Sequence, residues 1–265
     1  VRMAAEMLME QRQMQDERHW QRQRHEAWLR QLLDPGHGLG ALAADAEHLG
    51  LAMHWPRQAV FLELPEHADP LPCQARLLAA LGGRAEHWSA ALGERLVFWC
   101  RPVAHADALE HWLERADARG WGVARLCAGD PAHDLAELRA SACAARDLLD
   151  YARSRLPGRR VVTLDGHRLA SLLFSQRDSW QVRQLLAPLQ RLLDHDPQGS
   201  LAATLESWCA HDGHAQACAQ ALGIHRNSLR YRLERIASIS GLDLARLEHR
   251  QQLLLGLQLL VPRRG

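Results

Sequence analysis

The sequence predicts an α+β chain in three parts: an N-terminal helix, a mixed α/β sandwich and an all-α C-terminal domain. Three observations predict it. Residues 1–33 contain neither Pro nor Gly and read as one helix. Between residues 34 and 168, short strand-like runs alternate with helical ones. From residue 169 to 265 the periodic segments are helical, and one sharp turn separates a short Ala-rich segment from a basic one.

In the first part, Met7, Met14 and Trp28 keep a seven-residue register, with Gln21 filling the gap. A heptad of this kind predicts a connector helix able to form a coiled coil between protomers, although Glu10 to His19 is strongly polar. An amphipathic helix packed on its own domain is the plainer alternative. Asp34-Pro35-Gly36-His37-Gly38 then breaks the chain.

Within the middle part, Leu39 to Leu49 reads as a short helix ended by Gly50. The strand candidates are Ala59 to Leu64, Arg95 to Cys100, Gly122 to Cys127 and Arg160 to Leu164, with room for a hairpin inside Ala90 to Cys100. Helical stretches lie at Leu71 to Leu81, Ala104 to Arg119 and Ala132 to Arg155. This alternation predicts a sandwich of helices against one sheet.

From Arg168 the chain is helical. Leu169 to Phe174 and Trp180 to Leu193 are apolar-periodic, and Pro188 is expected to kink or split the second. Asp194 to Gly199 is a linker. Ser200 is expected to cap a helix over Leu201 to His211, whose stripe of Leu201, Leu205 and Trp208 covers the segment that follows. Near the C-terminus, Leu253, Leu254, Leu257 and Leu260 form a face for this domain or for a second protomer.

The informative stretch lies between these helices. His214 to Leu222 reads as a short helix closed by Gly223, the residue type that most easily takes the left-handed backbone of a sharp turn. Small residues at Ala215, Ala217 and Ala219 would let two helices approach closely. Beyond the turn, Leu229, Leu233 and Ile236 fall on one helical stripe. At about 100° per residue, Asn227, Tyr231, Glu234 and Arg235 occupy the opposite face, flanked by Ser228 and Arg230. Arg226 and Arg232 lie nearer the edges of the core stripe. This is the layout of a helix-turn-helix, whose second helix enters the DNA major groove. Asn and Arg can bond bidentately to base edges, and further Arg can pair with phosphates. The reading places Asn227, Ser228, Arg230 and Tyr231 toward bases, and Arg226, Arg232 and Arg235 toward phosphates. The competing reading is an amphipathic hairpin with a solvated Arg face.

The runs Ala219-Gln220-Ala221-Leu222-Gly223-Ile224 and His225-Arg226-Asn227-Ser228-Leu229-Arg230-Tyr231-Arg232-Leu233, with Thr204-Leu205 before them and Gly241-Leu242-Asp243-Leu244 after, resemble the C-terminal domain of PucR/CdaR-type bacterial transcriptional regulators. The order of the middle part, with Leu92 to Phe98 and the run Ala136 to Asp165, resembles the GGDEF-like domain of the same regulators, a relative of nucleotide cyclases. It is a degenerate one: of the paired glycines and acidic pair of an active cyclase, Gly93 and Glu94 remain. Two-metal phosphoryl transfer needs closely placed carboxylates, so cyclase activity is not expected. Arg2-Met3-Ala4-Ala5-Glu6 resembles the end of the diacid-recognition domain that precedes the connector in CdaR-type members. A chain that begins at Val1 rather than Met reads as a fragment. The resemblance thus implies a small-molecule effector bound on an N-terminal domain missing from this sequence.

Composition excludes other classes. All 32 basic residues are Arg, against 31 acids, so nucleic-acid affinity must come from a local patch. Cys73, Cys100, Cys127, Cys143, Cys209 and Cys218 are scattered without a CxxC pair, which points to buried thiols in a reducing cytoplasm rather than to metal or disulfides. No apolar run approaches the roughly 18 residues that span a bilayer. Asp45, Glu47 and His48, and likewise His105 and Asp107, are neighbours best read as solvated helix faces, and His133-Asp134 as a helix N-terminus. Gly82, Gly83 and Gly158 read as loop glycines.

The expected protein is a soluble, cytoplasmic, non-enzymatic and cofactor-free regulator that binds double-stranded DNA as a homodimer. By the resemblance it activates genes for sugar-diacid use, of glucarate or glycerate type. Purine catabolism, as in PucR relatives, and an interaction module that no longer binds DNA are the alternatives.

Overall fold

The computed structural model describes residues 23–261 except 52, 81–86 and 104–107. The heptad positions Met7, Met14 and Gln21, the segment Arg2 to Glu6, and Gly82, Gly83, His105 and Asp107 lie outside the described residues. The described chain is α+β and divides into two compact units. The first takes in residues up to Leu149 with Arg159–Gly166; the second is Asp150–Gly158 with the chain from His167 onward.

The first unit begins with α1 (residues 23–32) and α2 (Leu39–His48). There follow β1 (Arg57–Glu63), α3 (Pro70–Ala80), β2 (Trp88–Leu92), β3 (Leu96–Pro102), α4 (Ala108–Ala118), β4 (Arg125–Ala132), α5 (Leu135–Arg155) and β5 (Val161–Thr163). The strands form one sheet in the order β2-β3-β1-β4-β5. β1 pairs antiparallel with both β3 and β4, β2 and β3 make the hairpin, and β5 runs parallel to β4.

Every residue of β1 is buried, as expected of a central strand covered on both faces. On one face Val60, Leu62, Val97 and Leu126 pack against Cys73 and Leu77 of α3 and Leu109, Trp112 and Leu113 of α4. Trp99, Trp112 and Trp121 stack there in sequence, with centroids 5.2 and 5.8 Å apart. The register places Ala59, Phe61, Phe98, Cys100 and Trp88 on the other face. Trp88 meets Trp28 of α1 edge-on at 5.7 Å, and the buried Arg57 lies 3.5 Å over its ring. α5 crosses β4 so closely that a Cβ on Gly129 would collide with the Ser141 carbonyl. Ser141 Oγ donates to the Asp130 carbonyl at 2.6 Å in the same contact. At the head of α5, Asp134 Oδ1 accepts from the Glu137 amide at 2.7 Å, and Glu137 reaches back to the His133 amide at 2.7 Å. His133-Asp134 is thus a helix N-terminus, as its composition suggests. Asp45, Glu47 and His48 are exposed on α2.

The second unit holds α6 (Arg168–Ser175), α7 (Trp180–Asp194), α8 (Ser200–Ala210), α9 (Ala215–Ala221), α10 (Arg226–Ser240) and α11 (Leu247–Leu260). Its core joins Leu189 and Leu192 of α7, Leu201 and Leu205 of α8, Ile236 of α10, and Leu253 and Leu257 of α11. The apolar face of α11 therefore closes its own domain. Two expectations are corrected. Pro188 does not split α7, which runs unbroken from Trp180 to Asp194; one turn before it, the Leu185 carbonyl accepts from Gln252 Nε2 at 2.8 Å. Ser200 does not cap α8. Gly199 takes the N-cap position, and the cap is the buried Asp196, whose carboxylate accepts from the Leu201 and Ala202 amides at 2.7 and 2.8 Å. In α6 the inward stripe is Ala170, Ser171 and Phe174, which leaves Leu169 and Leu172 exposed.

Candidate nucleic-acid interface

α9 and α10 are joined by a tight turn whose chemistry is local. The Ile224 amide donates to the Ala219 carbonyl at 3.0 Å and the Gly223 amide to the Gln220 carbonyl at 3.1 Å. This is the Schellman pattern, and it requires the left-handed backbone that Gly223 supplies at φ 64°. The turn folds Ile224 onto a small core of Cys218, Ala219 and Leu229, with Trp208, Leu222 and Leu233 around it. α9 thus approaches α10 through Cys218 and Ala219. Ala217 is half-buried and Ala215 exposed, so the small-residue contact is narrower than the spacing of three alanines suggests. His225 takes the N-cap of α10, its Nδ1 accepting from the Asn227 amide at 3.3 Å.

α10 presents its core stripe inward: Leu229, Ile236 and Ser240 are buried and Leu233 half-buried. Arg226, Asn227, Ser228, Arg230, Tyr231 and Arg235 are exposed, Tyr231 to 61%. Arg232 is half-buried, and its Nη1 donates to Thr204 Oγ1 of α8 at 3.3 Å. Arg230 sits 3.8 Å from Glu234 across one exposed turn, a pair worth about 0.3–0.5 kcal/mol.

These residues do not share one surface. Asn227, Ser228, Tyr231, Arg232 and Arg235 line one wall of an open groove, and the α7–α8 linker, residues 195–198, lines the other. Arg226 and Arg230 fall on the opposite flank of α10, about 40° apart on the helical wheel. The groove is positively biased on the α10 side, since the one carboxylate on its far wall, Asp196, is occupied by α8 amides. The first turn of α10 carries no acid, so its amide dipoles also favour an anion. The linker wall, with His195 and Gln198, is the part that sequence reasoning missed. Its role depends on the fold of α7 against α8, and no local pattern announces it.

Parts of the chain match known families. Residues 201–259 match the PucR C-terminal helix-turn-helix domain, and residues 34–151 match a GGDEF-like domain. The carbohydrate diacid regulator of Escherichia coli (strain K12) is 34% identical over 155 residues, which are 58% of this chain and 40% of that protein. The chain thus spans less than half the length of that relative. An uncharacterized protein of Haemophilus influenzae is 25% identical over 261 residues, 97% of this chain and 70% of its own length. A regulator of polyketide synthase expression from Bifidobacterium adolescentis, known as a crystal structure, aligns over 89% of this chain and 91% of its own at 16% identity, with a TM-score of 0.44. No described helix is long and apolar enough to cross a membrane. A GGDEF-like domain thus stands ahead of a PucR-type helix-turn-helix, and over these parts the chain is similar to transcriptional regulators of the PucR/CdaR type.

Proposed function

We propose that the protein regulates transcription by binding duplex DNA through α10, with two copies set on two half-sites. The observation that carries this is the wholly exposed face of Asn227, Ser228, Tyr231 and Arg235, on a helix whose other face is locked to α8 and α9. Asn227, Ser228, Tyr231 and Arg230 address base edges; Arg226, Arg232 and Arg235 address phosphates. Similarity to the diacid regulator supports genes for carbohydrate diacid use as the target; activation is the direction we propose.

We read the middle domain as non-catalytic. The β2–β3 turn, where the resemblance to cyclases is carried, holds Gly93 and one exposed carboxylate, Glu94. The next residue, Arg95, is turned back to Glu63 and Glu66 at 3.8 Å. Two-metal phosphoryl transfer draws on closely placed acids, which this turn does not supply.

The test is binding of the purified protein to duplex DNA from upstream of its own gene and of neighbouring operons, across a salt series. Saturable, sequence-selective binding with a steep salt dependence is expected. Weak binding that ignores sequence would refute the reading, as would unchanged binding in both Arg230→Ala and Asn227→Ala.

A further inference from the structure

A second cleft lies within the helical unit, formed by the end of α5, α6, α7 and the end of α11. Its floor is apolar: Phe174, Leu186 and Leu259 are each more than nine-tenths buried. Its rim is cationic, with Arg155, Arg177 and Arg183 around that floor. The guanidinium carbons of Arg155 and Arg177 stand 5.6 and 4.6 Å from the centre of the same Phe174 ring. Each side chain is anchored by a single backbone contact. Arg155 Nη1 donates to the Leu260 carbonyl at 2.9 Å, and Arg177 Nη1 to the Phe174 carbonyl at 3.0 Å. Arg155 Nε is buried with no hydrogen-bond partner among the described residues. Asp178 and Asp194 line the cleft as well, but among the described residues neither forms an ion pair with these arginines; Asp194 accepts from Gln190 Nε2 at 2.9 Å. Two cations are therefore gathered on one aromatic ring without a counter-charge in contact. Burial pushes the Arg155 guanidinium below its usual range; Tyr151 opposes this, and the neighbouring Arg177 adds to it.

Like charges held together over an apolar floor favour an anion that brings its own apolar surface. We propose that this cleft binds a small organic acid, its carboxylate paired with Arg155 and Arg177 and its apolar body laid over Phe174, Leu186 and Leu259. An inorganic anion satisfies the arginines and leaves the floor wet; a neutral apolar molecule does the reverse. The site is separate from the α10 groove and stands or falls independently of DNA binding. When filled, it ties α6 and α7 to the end of α11, three of the helices that frame the unit.

The experiment titrates the whole chain with octanoate, benzoate and inorganic phosphate, reading thermal midpoint and calorimetric heat. At least one of the two organic acids binds saturably and raises the midpoint; phosphate at equal concentration does not. Arg177→Gln weakens that binding about tenfold, the loss expected for one charge-assisted pair. Arg177 is exposed, so this variant keeps the fold even if Arg155→Gln does not. Ala187→Phe, which fills the floor, also lowers affinity. The proposal is overturned if neither organic acid binds saturably, if phosphate binds as well as they do, or if Arg177→Gln binds as tightly as the parent.

Discussion

Replacing Asp196 by alanine removes the cap of α8 and with it one wall of the α10 groove. The carboxylate accepts from the amides of Leu201 and Ala202 at 2.7 and 2.8 Å and from Ser200 Oγ at 3.3 Å. Asp196 itself is 7% exposed and Leu201 is 5% exposed, so water cannot fully replace what is lost. A hydrogen bond to a charged group contributes about 1.5–3 kcal/mol, and an ordinary N-cap deletion costs about 1 kcal/mol. Two amide donors, one of them buried and left unsatisfied, place Asp196→Ala at about 2–4 kcal/mol of destabilisation of the helical unit. Asp196→Asn keeps one acceptor oxygen and no charge, and falls at about half that. Hydrogen exchange separates this from a general loosening. Peptides covering α8 lose protection in Asp196→Ala, and peptides covering β1 and β4 do not. Urea unfolding supplies the magnitude. A loss under about 1 kcal/mol, or unchanged exchange at residues 201 and 202, would refute the account of the cap.

Other predictions follow from single contacts. Arg235→Ala leaves the thermal midpoint unchanged, because the exposed side chain makes no hydrogen bond or ion pair among the described residues, and lowers the salt slope of DNA binding by about one. Arg232→Ala lowers both affinity and stability, since it also removes the contact to Thr204; a double-mutant cycle with Thr204→Val measures that share. Gly129→Ala costs more than about 3 kcal/mol in urea unfolding of the β unit, because the new methyl meets backbone rather than a flexible side chain. Asp117 is held below its usual range chiefly by the hydrogen bonds from Arg160, with contacts at 2.7 and 2.8 Å. A depressed carboxyl stabilises the fold above its unfolded pKa and loses that contribution as pH falls through its lower folded value. Asp117→Asn therefore has a shallower loss of stability on acidification below about pH 4 than the parent, as followed by thermal melts.

How much of this could be read in advance depended on range. The inward stripe of α10 follows from Leu229, Leu233 and Ile236, and the turn before it from Gly223; both rest on neighbours within a few residues. Most strands were legible from their apolar runs, but β4 runs Arg125–Ala132 rather than Gly122 to Cys127, because its second half, Gly129 to Ala132, is not an apolar run. The central place of β1 was not legible, because it is set by antiparallel pairing to segments far along the chain on either side. The α8 cap was misassigned to Ser200 because a cap is sought directly before the helix, whereas Asp196 folds back from four residues earlier through Gly199. The α10 face split for a similar reason. The helical wheel sets Arg226 and Arg230 on the flank away from Asn227, Ser228 and Arg235, but which flank borders a groove is decided by the α7–α8 linker.

The two faces of α10 are independent in a way that bears on descent. The stripe that holds the helix is Leu229, Leu233, Ile236 and Ser240, whereas Asn227, Ser228, Tyr231 and Arg235 contribute almost nothing to holding it. Exchanges at the latter positions leave the helix where it is and alter only what it meets. If α10 reads DNA as proposed, a lineage built on this frame is free to drift from one operator to another by single outward substitutions, without passing through an unfolded ancestor.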